Sequence, residues 1–181
     1  MVKSNIRFKL IKLRKLKNRK NIKENISKII NTLKIYNYEK KIVGGYYPVN
    51  FEMDDLHILN ELEKKKIKLS LPVIKTNNDM DFYIWNSDDI LHVNKFGIPE
   101  PSKLKKVYPD IIFIPLVAFD KNLYRIGYGG GYYDRYINKI QKKKKVFKIG
   151  IAHSSQKINK VPLNKYDRKL DIIITEKYIL R

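Results

Sequence analysis

Arg125, four glycines packed into five positions (Gly127, Gly129, Gly130, Gly131), and then Asp134 with Arg135 are the residues of this 181-residue chain whose types and spacing could do chemistry. Glycine weakens helices and strands, so a cluster this dense implies a backbone that takes positive φ or comes close to a ligand. The cluster follows the apolar run Ile111–Phe119 and precedes an apolar and aromatic segment ending near Ile140. That order predicts strand, glycine loop, helix. A helix opening near Gly131 gathers backbone N–H groups and a positive dipole end, which suits phosphate. Neither the G-x-x-x-x-G-K-[ST] loop nor the dinucleotide pattern is present, since Tyr132 stands where the latter needs its third glycine. An arginine can grip phosphate in bidentate fashion, and a carboxylate tolerates phosphate nearby when Mg²⁺ lies between them. Two readings stay open from these residues: a nucleotide-and-magnesium site, or a tight structural turn with a capping aspartate.

The elements that must position this loop follow from periodicity. Ile6, Leu10, Leu13 and Leu16, then Ile22, Ile26, Ile29, Ile30 and Leu33, recur at helical spacing and predict one or two helices between Val2 and Ile35. Lys3 and Arg7 stand four apart, so on a helix they share a face and could hold one anion; the competing reading is two solvated charges. Ile42–Tyr47 predicts a short buried strand closed by Pro48, and a loop with Glu52 leads to an amphipathic helix over about Asp54–Lys65. Leu69–Ile74 and Asp81–Trp85 predict strands around a polar turn at Thr76–Asp79, and Asn94–Pro101 reads as loop. Ile111–Ile114 predicts a central strand buried on both faces. Val117–Phe119 continues extended, Asp120–Asn122 turns, and Leu123–Ile126 leads into the glycines. Val146–Ala152 and Asp171–Thr175 predict the last two strands, with Lys142–Lys145 a solvated helix end, His153 making a local hydrogen bond and Asp171 shaping its strand's start. Strands alternating with helices predict an α/β layout, in which functional loops hang from strand ends; that makes Glu52 interesting, although a lone loop carboxylate is more often only exposed.

Composition sets the bounds. The length suits one domain, expected to span residues 1–181. No apolar stretch is long enough for a membrane span and the lysine-rich amino terminus has no apolar signal core, so a cytoplasmic protein is expected. With no cysteine there are no disulfides, thiolate nucleophiles or cysteine metal sites, and three histidines give no expectation of a histidine-rich one. The formal charge of +21 points toward nucleic acid, and the first 34 residues hold twelve Lys or Arg against one acid. Against that, the excess is nearly all lysine alongside abundant Ile, Asn and Tyr, the signature of AT-rich codons, and only Phe8 interleaves an aromatic before Tyr36.

The run Val117–Asp120, then Arg125-Ile-Gly-Tyr-Gly-Gly-Gly-Tyr-Tyr-Asp-Arg135, resembles the signature of the 5-formyltetrahydrofolate cyclo-ligase (methenyltetrahydrofolate synthetase) family. Lys3-Ser4-Asn5-Ile6-Arg7 resembles its amino-terminal K-x-x-[LI]-R, and Tyr46-Tyr47-Pro48 with Glu52 its first strand and folate loop. Asp81–Trp85, Phe96–Pro101, Gln156, Pro162 and Asp167–Thr175 with Glu176 fall in the family's order, so the likeness spans nearly the whole chain.

The resemblance implies a three-layer α/β/α sandwich with a mixed, mainly parallel sheet, related to sugar-phosphate isomerases and CoA-transferases. It also implies ATP- and Mg²⁺-dependent cyclisation of 5-formyltetrahydrofolate to 5,10-methenyltetrahydrofolate, with ADP and phosphate released. Lys3, Arg7, Arg125, Gly127, Tyr128, Gly129, Gly130, Gly131, Tyr132 and Tyr133 would contact ATP, with Arg125 and Tyr132 as the catalytic pair. Tyr47, Glu52 and residues 128–132 would meet the folate, and Asp134 and Asp167 would hold Mg²⁺. The expected partners are then 5-formyltetrahydrofolate and ATP, with no membrane and no dedicated nucleic-acid surface, on a monomer. Two departures matter. Some family members have basic residues where this chain has Tyr128 and Gly130, which puts more weight on Arg125 and Arg135; others have His where this chain has Tyr166. Two alternatives are a basic RNA-binding module, which predicts tight, salt-sensitive RNA association, and a sugar-phosphate or acyl-CoA enzyme of the same fold class, for which only Glu52 offers an acid/base or acyl-carrying group.

Overall fold

β-branched and aromatic runs dictate the centre of the molecule. A computed structural model describes residues 2–17, 26–76 and 79–181. In it, β1 (Ile42–Gly44), β2 (Lys68–Ile74), β3 (Met80–Trp85), β6 (Lys106–Val107), β7 (Ile111–Pro115), β10 (Phe147–Ile151), β11 (Ile172–Ile174) and β12 (Ile179–Leu180) form one eight-stranded sheet. Its order is β12-β11-β10-β7-β1-β2-β3-β6. The four inner pairings, among β11, β10, β7, β1 and β2, are parallel, and the outer ones are antiparallel. Ile111–Ile114 sits mid-sheet with every side chain buried, as expected of a strand covered on both faces.

Helices cover both faces. On one, α2 (Ile26–Lys34) and α3 (Leu56–Lys64) pack Ile29, Leu33, Ile58, Leu59 and Leu62 onto Val43, Leu69 and Phe113. On the other, α4 (Tyr132–Gln141) places Tyr136, Ile137 and Ile140 against Phe82, Ile112, Ile114 and Ile173. Each such side chain contributes about 1.5–3 kcal/mol on burial. The layout is the mixed, mainly parallel α/β sheet expected from sequence.

The amino-terminal helix α1 (Lys3–Lys17) lies beside this sandwich. Its Ile6 and Leu10 pack on Val117, Ala118, Ile126 and Val161, a satellite core under the small hairpin of β8 (Ala118–Phe119) and β9 (Arg125–Ile126). Leu16, predicted to join the apolar stripe, is exposed because it falls roughly a quarter turn off the Ile6–Leu10–Leu13 line. The expected Ile22, and part of the expected Thr76–Asp79 turn, lie outside the described residues.

Two further expectations are revised. The strand at Ile42–Tyr47 keeps its ladder only to Gly44, and the chain then leaves the sheet. Asn94–Pro101 is not all loop: Pro99–Pro101 (β5) pairs antiparallel with Leu91–Val93 (β4), around a tip at Gly97. Two prolines are tolerated there because a two-stranded ribbon leaves N–H positions outside any ladder. The extended stretch, turn and lead-in expected over Val117–Ile126 form the β8–β9 hairpin, its turn tied by buried Asp120, which accepts from the N–H groups of Asn122, Tyr124 and Val161.

Candidate functional site

A cavity of about 820 Å³ opens beyond the carboxyl ends of the parallel strands, where Ile74 of β2 and Pro115 of β7 form part of its wall. In open α/β sheets this is where ligands bind. The residues singled out above all line it: Lys3 and Arg7 from α1, Tyr47 and Glu52 from the loop after β1, Arg125 from β9, Gly127–Asp134 at the glycine turn, and Asp167 from the carboxy-terminal loop.

The cationic wall is built first. The Arg7 Nε–H donates to the Gly127 carbonyl at 2.7 Å, which ties α1 to the glycine turn. Lys3 Nζ lies 2.5 Å from Asp167 Oδ2, so the first turn of α1 is pinned to a residue 164 positions away. Arg125, nearly buried, donates to the Arg168 carbonyl and to Asp134 Oδ1, both at 2.8 Å. Asp134 also accepts the Arg168 N–H at 3.1 Å. The Arg135 guanidinium donates to the Gly130 carbonyl at 2.7 Å and stacks over the Tyr132 ring. Gly131, at φ 68°, caps α4 in the left-handed region, so the helix starts directly at the cavity wall with its positive end toward the cations.

The opposite wall is acidic and aromatic. Glu52 Oε2 accepts the Val49 N–H at 2.8 Å, closing its own loop. Burial drives the Glu52 carboxyl up to about 7, against the opposing pull of the Val49 N–H, Arg14 and the Tyr128 hydroxyl. Tyr128 bridges the walls: one flank is open to solvent, while its hydroxyl accepts from Arg14 and contacts Glu52, and burial pushes the phenol up. Burial, with Glu52 and Asp55 nearby, pushes the Tyr133 phenol well up too.

The sequence reading missed two residues behind this wall. Arg14 follows Arg7 by seven positions, a helical spacing hidden among the lysines of α1. Asp55, fully buried, accepts the Tyr46 N–H at 3.1 Å through Oδ2 while Oδ1 has no partner among the described residues, and burial raises its carboxyl well above the usual range. In sequence it reads as an ordinary helix-start aspartate. The His153 backbone N–H donates to Gln156 Oε1 at 2.6 Å. Asp171 holds the start of β11, accepting the Lys148 N–H at 2.7 Å.

Among the described residues, no three His, Cys, Asp or Glu side chains converge as a metal cage. Asp134 and Asp167 do both face the cavity beside the glycine turn, each neutralised by one cation. One or two carboxylates completed by phosphate and water is how Mg²⁺ is commonly bound, so this donor pair fits a cation that arrives with a nucleotide. No helix among the described residues is long and apolar enough to cross a membrane.

Comparison with known proteins gives a consistent result. The model of the 5-formyltetrahydrofolate cyclo-ligase family matches residues 1–176. A Mycoplasma pneumoniae 5-formyltetrahydrofolate cyclo-ligase is 44% identical over 137 residues, covering 75% of this chain and 73% of that one. A Schizosaccharomyces pombe protein named "Probable 5-formyltetrahydrofolate cyclo-ligase" is 35% identical over 118 residues, 56% of this chain and 58% of that one. The solved structure of Aquifex aeolicus 5,10-methenyltetrahydrofolate synthetase superposes with a TM-score of 0.80 at 33% identity, covering 100% of this chain and 93% of that one.

Proposed function

The chain belongs to the 5-formyltetrahydrofolate cyclo-ligase family, and from that premise we propose that its cavity brings ATP and 5-formyltetrahydrofolate together for cyclisation to 5,10-methenyltetrahydrofolate. The observation that carries this reading is the pairing of two unlike walls in one cavity. Arg7, Arg125 and the start of α4 suit phosphates, and Glu52 with Tyr47 suits the polar edge and rings of a pterin.

The reaction needs no protein nucleophile. The formamide oxygen attacks the γ-phosphorus of ATP and ADP departs; the neighbouring amine nitrogen then attacks the activated formyl carbon, the ring closes, and phosphate leaves carrying the proton that the amine gives up. What the protein must do is hold the reactants in line and neutralise charge. Lys3, Arg7 and Arg125 grip the phosphates, with the turn from Gly127 to Tyr133 wrapped around them. Residues 128–132 lie where the two substrates meet, and Arg125 with Tyr132 flanks the transferred group. Tyr47 and Glu52 orient the folate. Asp134 and Asp167 would hold Mg²⁺, which when bound supplies positive charge to the phosphates. In this reading the positive charge of α1 serves the site, since Lys3, Arg7 and Arg14 turn toward it. The test is absorbance of the methenyl product formed from 5-formyltetrahydrofolate with and without ATP and Mg²⁺. Product only with both supports the reading, and no product under any condition overturns it.

Glu52 makes a second test possible. Its carboxyl binds a proton more tightly folded than unfolded. Its contribution to stability is therefore greatest below the unfolded value and is lost as pH rises through about 7. Glutamine never ionises. Glu52→Gln is expected to match the parent in thermal stability near pH 4 and to exceed it by about 2 kcal/mol at pH 8, allowing for partial exposure. The same variant should raise the folate KM about tenfold, because a carboxylate accepting from pterin N–H groups is lost. Melting curves across pH, read beside KM, check both halves.

A further inference from the structure

Taking the reading above as its basis, we propose that Arg14 is a positioning residue for the folate half of the site: from α1 it fixes the Tyr128 hydroxyl, and through it the Glu52 carboxyl that meets the pterin. Arg14 is 2% exposed, and burying a guanidinium is costly unless it is well paired. Among the described residues its pairing is thin: one long bond to the Leu116 carbonyl at 3.3 Å, one to the Tyr128 hydroxyl, and an Nε with no partner. Neither direct acceptor is a carboxylate, so fold stability alone gives little reason for a cation there.

What the position offers is reach. Arg7 and Arg14 are seven residues apart on one helix, so they share a face about 10.5 Å apart along the axis. Arg7 holds the carbonyl of Gly127 and Arg14 holds the hydroxyl of Tyr128, the next residue. One helix therefore grips both halves of the cavity through successive residues of the same turn. The Tyr128 hydroxyl accepts from Arg14, which leaves its proton for Glu52 and polarises the phenol toward that carboxyl. Among the described residues Glu52 is otherwise faced by Tyr46, Asp55 and Tyr133, none of them cationic, and Arg14 is the charge that favours its ionised form. The Arg14 guanidinium also sits 5.5 Å over the Tyr128 ring, which limits how far the half-exposed side chain can swing.

The test compares Arg14→Met, Arg14→Lys, Tyr128→Phe and the Arg14→Met/Tyr128→Phe double variant in the full chain, with KM measured separately for 5-formyltetrahydrofolate and ATP. The expected result for Arg14→Met is a folate KM raised about tenfold with the ATP KM changed less than about twofold. Arg14→Lys should recover part of the loss, and Arg14→Met should add less than about twofold once the phenol is gone. If Arg14→Met does not fold, Arg14→Lys decides the matter by the same split in KM. The assignment is overturned by an unchanged folate KM, by equal rises in both KM values, or by full additivity in the double variant, each with an active parent. Absence of product from the parent overturns the reaction reading itself, and this assignment with it.

Discussion

Asp134→Ala is expected to lower turnover by about a thousandfold or more, to the floor of the absorbance assay, the largest effect of any single substitution proposed for this site. Two losses combine. The proposed Mg²⁺ loses one of its two protein carboxylates, and the phosphates lose the cation that screens them. The carboxylate also compensates Arg125, whose side chain is 4% exposed and pairs with Asp134 at 2.8 Å. Removing one partner of a buried pair leaves the other uncompensated, a cost of about 3–5 kcal/mol, reduced here because the Asp134 side chain is 26% exposed. Asp134→Asn separates the two losses. The amide oxygen still accepts from Arg125 and from the Arg168 N–H, so the melting temperature should stay near that of the parent while activity is lost. Turnover in Asp134→Asn with an unchanged Mg²⁺ dependence would falsify the metal assignment and leave Asp134 as a partner of Arg125 only.

That double duty also shows where sequence reasoning stops. The glycine turn and the helix after it were legible because backbone conformation is a local property: Gly131 does cap α4 at positive φ, and α4 does begin at the next residue. The central strand was legible because four β-branched or aromatic residues in a row have no alternative to burial on both faces. The cavity's membership was legible only through family likeness, since nothing in the spacing of Lys3 and Asp167 says that they meet at 2.5 Å. Arg14 was not legible at all. Among the many basic residues of the first 34, nothing local marks Arg14 as turning inward; that depends on α1 packing Ile6 and Leu10 onto the β8–β9 hairpin, a tertiary fact. The hairpin itself was half seen, as an extended stretch and a turn, because two-residue strands carry no periodicity to read. The Pro99–Pro101 strand was missed for the opposite reason: proline argues against a ladder, and only an isolated ribbon escapes that rule.

Gly129→Ala is expected to be the second most damaging change, lowering kcat/KM for ATP about a hundredfold although it adds a single methyl group. Gly129 sits at φ 109°, a conformation that side-chain-bearing L-residues rarely adopt, and strain of this kind costs about 1–3 kcal/mol. The added Cβ would also stand 3.3 Å from both the central carbon and one terminal nitrogen of the Arg7 guanidinium. A shift of the guanidinium to make room strains its 2.7 Å bond to the Gly127 carbonyl, the contact that joins α1 to the turn. Strain alone would lower stability and leave ATP affinity largely intact; displacement of Arg7 would act on ATP binding directly. Introducing Gly129→Ala into an Arg7→Ala background distinguishes them. If the methyl acts through Arg7, the double variant should lose no more ATP affinity than Arg7→Ala alone while still melting lower than it. Full additivity of the two substitutions in KM for ATP would instead show that the turn's backbone, and not the arginine it carries, governs the phosphates.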